Sequence, residues 1–120
     1  KAAAQEIAAS YGAQVEMHHY EPLFKDMRQD KRLLDLFKDV MTEFGETPRI
    51  LPDDEADGST DVGNVSYEVP TAQPTLQIGL GLEAHTPEFT CAAGSDYGLD
   101  QAIKGAKIMA VVALRYAMCK

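Results

Sequence analysis

A chain of 120 residues with 45% hydrophobic and 25% charged residues has the size and balance of one ordinary domain, which excludes a disordered tail, a collagenous repeat and a disulfide scaffold. Acidic residues outnumber basic ones by 19 to 11, a formal net charge of −8, and this argues against nucleic acid, whose phosphates call for clustered Lys and Arg. No apolar run reaches the roughly 20 residues that span a bilayer; the longest, around Ile108 to Leu114, sits in a pattern broken by Lys104, Lys107 and Arg115, so a soluble protein with no membrane partner is expected.

In chain order, Ala3, Ala4, Ile7, Ala8 and Tyr11 recur at helical spacing and Gly12 stops them, which predicts a helix over residues 1–11. The chain opens at Lys1 directly on this pattern, the start expected of a piece of something longer. Ala13, Val15, Met17 and His19 then alternate with Gln14, Glu16, His18 and Tyr20 up to Pro22, the period of two of a half-buried strand over residues 14–20. Asp30 is a good N-cap for an apolar stripe of Leu33, Leu34, Leu36, Phe37, Val40, Met41 and Phe44, closed by Gly45. Residues 46–58 hold Pro48, Pro52, Asp53, Asp54, Glu55 and Asp57, the composition of an exposed loop.

Residues 58–66 read Gly-Ser-Thr-Asp-Val-Gly-Asn-Val-Ser, where glycine turns crowd hydroxyl, carboxylate and amide groups together. Thr75, Leu76, Gln77, Ile78, Gly79 and Leu80 predict a short, mostly buried strand, and a loop follows from Glu83 through His85, Thr86, Pro87 and Glu88 to Phe89. The last element, from about Leu99 to Met118, is a helix capped by Ser95 or Asp96, with Ala102, Ile103, Ala106, Ala110, Ala113, Leu114 and Ala117 giving a small-residue face. The chain contains no internal repeat. Helices alternating with strands predict an α/β fold.

In such a fold ligands collect beyond the carboxyl ends of strands, which gives His85 the address of a metal ligand or base, with Glu88 three residues on as a companion. A histidine that merely bonds within its loop reads the same way, and no second His stands at chelating spacing although a catalytic zinc takes about three protein ligands. Asp61, among Ser59, Thr60, Asn64 and Ser66, fits a substrate-binding or metal-supporting cluster and equally a turn held by its own side chains. His18 and His19 fall on opposite faces of the expected strand and are read as structural or surface residues. The acid run from Asp53 to Asp57 lacks EF-hand spacing and reads as a solvated loop. Cys91 and Cys119, in unlike settings, read as free thiols of a reducing, cytoplasmic compartment. No nucleophile elbow, dinucleotide turn or phosphate loop occurs.

Taken together, the nine residues from Gly58 to Ser66 and the run His85-Thr86-Pro87-Glu88-Phe89 resemble the closing motifs of the M20 metallopeptidases, in the branch of aminoacylase-like amidohydrolases, p-aminobenzoyl-glutamate hydrolases and β-alanyl dipeptidases. The resemblance implies the C-terminal part of a zinc-exopeptidase-type α/β catalytic domain over residues 23–120, preceded over residues 1–22 by the last helix and strand of an inserted lid and dimerisation domain. It implies two divalent metals, zinc above all with manganese or cobalt as alternatives. His85 looks like the family's final metal-ligating His. Ser59, Thr60, Asp61 and Asn64 match its polar loop beside the metals, with a substrate-binding or supporting role. The upstream His-x-Asp, bridging Asp and Glu-Glu pair have no counterpart here, so no catalytic residue is assigned to this chain. Its expected partners are the remainder of the same enzyme, a second copy in a homodimer, and a small amide or dipeptide substrate hydrolysed by metal-activated water. A competing expectation is a non-catalytic domain that binds or assembles through the strand near Val15 to His19.

Overall fold

The computed structural model describes residues 1–52, 55 and 58–118. Asp53, Asp54, Asp57 and Cys119, which the acid-run and thiol readings include, lie outside the described residues. The elements are α1 (Ala2–Ser10), α2 (Lys31–Glu43), α3 (Val62–Val65), α4 (Pro87–Ala93) and α5 (Asp96–Met118).

The second helix starts where its cap places it. Asp30 is extended, and its side chain accepts a hydrogen bond from the Leu33 amide at 2.8 Å, filling one of the donors that a first turn leaves open. Its apolar stripe then turns onto α5. Val40, Met41, Ile108 and Val112 are the buried apolar residues of the junction, and Leu33, Leu36, Phe37, Phe44, Leu76 and Val111 close around them. Ser95 caps α5, accepting from the Gly98 amide at 3.1 Å. Gly98 is buried, and a Cβ there would collide with the Ala92 and Ala93 carbonyls, so a glycine lets α4 fold back on α5.

Polar contacts brace the same junction at both ends. Glu43 takes a two-pronged hydrogen bond from the Arg115 guanidinium at 2.6 and 2.7 Å, the fork geometry that makes arginine pairs the stronger kind. Glu46 accepts from the Lys104 ammonium at 2.6 Å. Beside it Gln101, only 2% exposed, donates to the Gln77 carbonyl at 2.9 Å and reaches Glu46 at 3.5 Å. Lys104 and Arg115 hold the Glu46 and Glu43 carboxyls below the usual carboxylate range, chiefly by these hydrogen bonds.

The expected α/β architecture does not form: among the described residues there is no strand, and the chain is helices joined by irregular segments. The physical reason differs at the two places. Residues 14–20 are exposed throughout, and alternation without a neighbouring chain leaves every ladder hydrogen bond unmade. Residues 75–78 alternate in burial, with Leu76 and Ile78 half-buried and Thr75 and Gln77 exposed, but the pattern lapses at half-buried Gly79 and exposed Leu80. Their neighbours, however, are helices, and the Gln77 carbonyl is taken by a side chain instead of a strand.

The molecule is drawn out, 63 × 38 × 23 Å with a radius of gyration of 19.9 Å, against about 14 Å for a compact chain of this length. Helix α1 packs against no other helix of the described residues. The α2–α5 junction is therefore the centre of the fold, and the segments carrying the candidate site hang from its edges.

Candidate functional site

The polar segment is built on Gly63, buried at the centre of the one-turn helix α3. A Cβ at this position would overlap the Lys25 carbonyl, so only glycine lets the segment at 23–28 lie across it. Around that contact Asn64 uses both ends of its amide: its oxygen accepts from the Lys25 amide at 2.8 Å and its nitrogen donates to the Leu23 carbonyl at 3.2 Å. Ser66 accepts from the Arg28 amide at 3.0 Å and donates to the Gly63 carbonyl at 2.6 Å.

Tyr67 completes the attachment. Its hydroxyl donates to Asp26 at 2.6 Å, while the Lys25 ammonium lies 4.4 Å and the Arg28 guanidinium 3.8 Å from its ring centroid, within the range of cation–π attraction. The Tyr67 hydrogen bond is the main cause that holds the Asp26 carboxyl below its ordinary value, and Asp26 in turn pushes the phenol up. This cluster of Lys25, Asp26, Arg28 and Tyr67 escaped the sequence reading. Its only sequence signal is the proximity of Tyr67 to the polar motif.

The other half of the motif is differently placed. Thr60 accepts from the Val62 amide at 3.3 Å, turning the chain into α3. Ser59 and Asp61 are exposed, and Asp61 stands at the N-cap position of α3 without a side-chain cap bond.

His85 is exposed and left-handed, with φ of 66°; no other described non-glycine residue has a positive φ. What forces the turn is the start of α4. The Thr86 hydroxyl accepts from the Phe89 amide at 3.2 Å and donates back to the Glu83 carbonyl at 2.8 Å, and Pro87 occupies the first turn where its missing N–H costs nothing. The run read as a loop is thus a helix start, with Glu88 in its first turn. A left-handed non-glycine residue carries strain, and such strain concentrates at functional positions.

Among the described residues no three His, Cys, Asp or Glu side chains converge as a metal-holding group, whereas a catalytic zinc takes about three protein ligands. His85 and Glu88 do not make a complete site by themselves. His18 and His19 are not gathered with them either: His18 faces Glu16 at 3.4 Å, both largely solvated, and the two imidazoles border a shallow hollow shared with Tyr20 and Phe24. Cys91 is a free, exposed thiol.

A larger concavity of ≈ 500 Å³ lies between α2, α5 and residues 72–78, walled by Phe37, Met41, Leu76, Ile78 and Met109. Its lining is overwhelmingly apolar and holds no titratable side chain, so it is not the site of the polar motif.

No protein-family model matches the chain, and no solved structure matches it. Over 57 residues, 48% of its length, the chain is 44% identical to the Xaa-Arg dipeptidase of Homo sapiens, and equally to that of Mus musculus. The matched stretch is 13% of the length of either relative. Nearly half of this chain is therefore similar to part of a peptidase-type hydrolase.

Proposed function

We propose that this chain contributes to a metal-dependent hydrolase of the M20 type that cleaves the amide bond of a dipeptide, an N-acyl amino acid or an aminobenzoyl-glutamate-like compound. The observation that carries the reading is the 44% identity with Xaa-Arg dipeptidases. Two features support it: the polar motif from Ser59 to Asn64, and a strained, solvent-facing His85. His85 supplies one imidazole to a divalent metal, zinc or in its place manganese or cobalt, and the remaining ligands and the general base come from polypeptide other than this chain. Ser59, Thr60 and Asp61 face the substrate or steady the metal's surroundings, whereas Asn64 acts at one remove, by fixing the segment at 23–28.

The test is hydrolysis of Xaa-Arg dipeptides and N-acyl amino acids, with bound metal counted in parallel, by the polypeptide that carries this chain. Replacing His85 by Ala is expected to lower both metal content and turnover, the latter by at least roughly 100-fold as for loss of a direct metal ligand. Turnover and metal content equal to the parent's would end the ligand assignment.

A further inference from the structure

In a chain with a formal net charge of −8, one place gathers positive charge. The Lys25 ammonium and the Arg28 guanidinium stand over the same ring, that of Tyr67, at 4.4 and 3.8 Å from its centroid. Neither forms an ion pair with a carboxylate of the described residues, whereas Lys31, Arg49, Lys104 and Arg115 are each paired with an acid. Asp26, which lies between them in sequence, accepts from the Tyr67 hydroxyl at 2.6 Å instead, and with Asp26 counted the cluster keeps a positive charge in excess. Lys25 and Arg28 are both exposed. The backbone beneath them is fixed: Asn64 holds the Lys25 amide, Ser66 holds the Arg28 amide, and the Lys25 carbonyl rests on Gly63. Cation–π contact engages the faces of the ring and of the guanidinium and leaves the N–H fork, which lies in the guanidinium plane, open to an acceptor. Two long side chains are thus held in place before any anion arrives, which lowers the ordering cost of binding one.

We propose that Lys25 and Arg28 form a subsite for the free carboxylate of the substrate, an inference that rests on the function proposed above. Every substrate class named there carries such a group: the C-terminus of a dipeptide, the acid of an N-acyl amino acid, the glutamate of an aminobenzoyl-glutamate-like compound. It is planar and anionic, the shape and charge that an arginine fork matches. The field of an acidic chain repels it at long range, so it settles only where cations are gathered locally. The place also suits the reading. The Lys25 carbonyl rests on Gly63, two residues beyond Asp61, so the cations hang from the same turn of helix that follows Ser59, Thr60 and Asp61. The bonds of Asn64 and Ser66 to the segment at 23–28 then have a purpose, which is to set the position of the two cations. Lys25 and Arg28 take no part in cleaving the amide; they hold the substrate by its end and select compounds with a free carboxylate over their amides.

The experiment uses the polypeptide that carries this chain, as the parent, as the double variant Lys25→Gln/Arg28→Gln and as the control Lys38→Gln, which removes an exposed charge on α2. The probes are the dipeptide alanyl-arginine and its C-terminal amide, which differ only at the carboxylate. The parent is expected to favour the acid in kcat/KM, and the double variant to cut that preference by roughly 10-fold or more, as for the loss of hydrogen bonds to a charged group. The loss should appear in KM with kcat changed less than about twofold, because the carboxylate is held alike in the ground and transition states. Lys38→Gln should keep the parent's preference; an equal loss there assigns the effect to the overall field and overturns the proposal. A double variant that keeps the preference also overturns it, and a lowered Tm alongside assigns the two cations to bracing against a carboxylate elsewhere in the polypeptide. Calorimetric titration with the same two probes separates this proposal from the hydrolase reading. Selective binding of the acid that the double variant abolishes, without hydrolysis of either probe, keeps the subsite and ends the hydrolase reading. Equal binding of acid and amide by the parent ends the subsite, whether or not either probe is cleaved.

Discussion

Replacing His85 by Gly is expected to make the chain more stable. The φ of 66° at this position brings a Cβ toward the following carbonyl, a clash that costs an L-residue about 1–2 kcal/mol. The side chain is exposed and makes no hydrogen bond within the described residues, so its removal forfeits little packing. Glycine abolishes the clash and gives back part of the gain, about 0.4–1 kcal/mol, through the extra freedom of the unfolded chain. The balance is a stabilisation of about 0.5–1 kcal/mol, or a rise in Tm of about 2–5 °C for a domain of this size. His85→Ala keeps the Cβ and hence the strain, so its Tm should stay within about 1 °C of the parent. Thermal unfolding followed by circular dichroism compares the three proteins. A Gly variant melting no higher than the Ala variant would refute the strain argument, and with it one of the two structural supports for His85 as a functional residue.

Gly63→Ala is expected to detach the segment at 23–28 from α3, since its Cβ meets the Lys25 carbonyl; tryptic cleavage after Lys25 and Arg28 should quicken while the α2–α5 junction melts as before, and unchanged cleavage would speak against the contact. Glu46, held below the usual carboxylate range by Lys104, contributes stability that is fully present above pH 4.5 and is lost as pH falls through its lower folded-state value. The gap in urea midpoint between parent and Glu46→Gln should therefore be present at neutral pH and shrink in acid; a gap that widens in acid would reverse the assigned sign. Ile108→Ala empties the centre of the only buried apolar cluster among the described residues and is expected to cost about 2–5 kcal/mol, read as a fall in urea midpoint; a loss below about 1 kcal/mol would mean the site collapses to fill the space.

The helices of the fold were legible because their signals are local. Asp30 announces α2 and the apolar stripe behind it decides its face, and Ser95 starts α5 as one of the two caps expected. Helix α4 carries equally local signals, a Thr cap followed by Pro at the first turn, but at seven residues it is too short for an apolar period to set it apart from the loop expected there. The strands failed for a different reason. A period of two, as over residues 14–20, or a short apolar run, as over residues 75–80, describes which side chains seek burial. Whether a ladder forms depends on a second chain alongside, and nothing within such a segment encodes its neighbour. The attachment of residues 23–28 was out of reach for the same cause: its hydrogen bonds join residues 38 to 41 positions apart.

The polar motif, read from sequence as one cluster, divides once the hydrogen bonds are assigned. A side chain whose polar atoms already tie two segments together has a structural role to lose before any contact with substrate. Asn64 has committed its oxygen to Lys25 and its nitrogen to Leu23, and the Ser66 hydroxyl both donates and accepts. Their loss would free residues 23–28, and any effect on turnover would follow from that displacement. Ser59 and Asp61 make no such side-chain bonds among the described residues and face solvent. The two halves therefore answer to different measurements: an Asn64 variant should betray itself in proteolysis and melting before it does in kinetics, whereas Ser59 and Asp61 variants should fold as the parent does. On the proposed function, the part of the motif that meets substrate is thus narrowed to its first three polar residues, upstream of the glycine that anchors the rest.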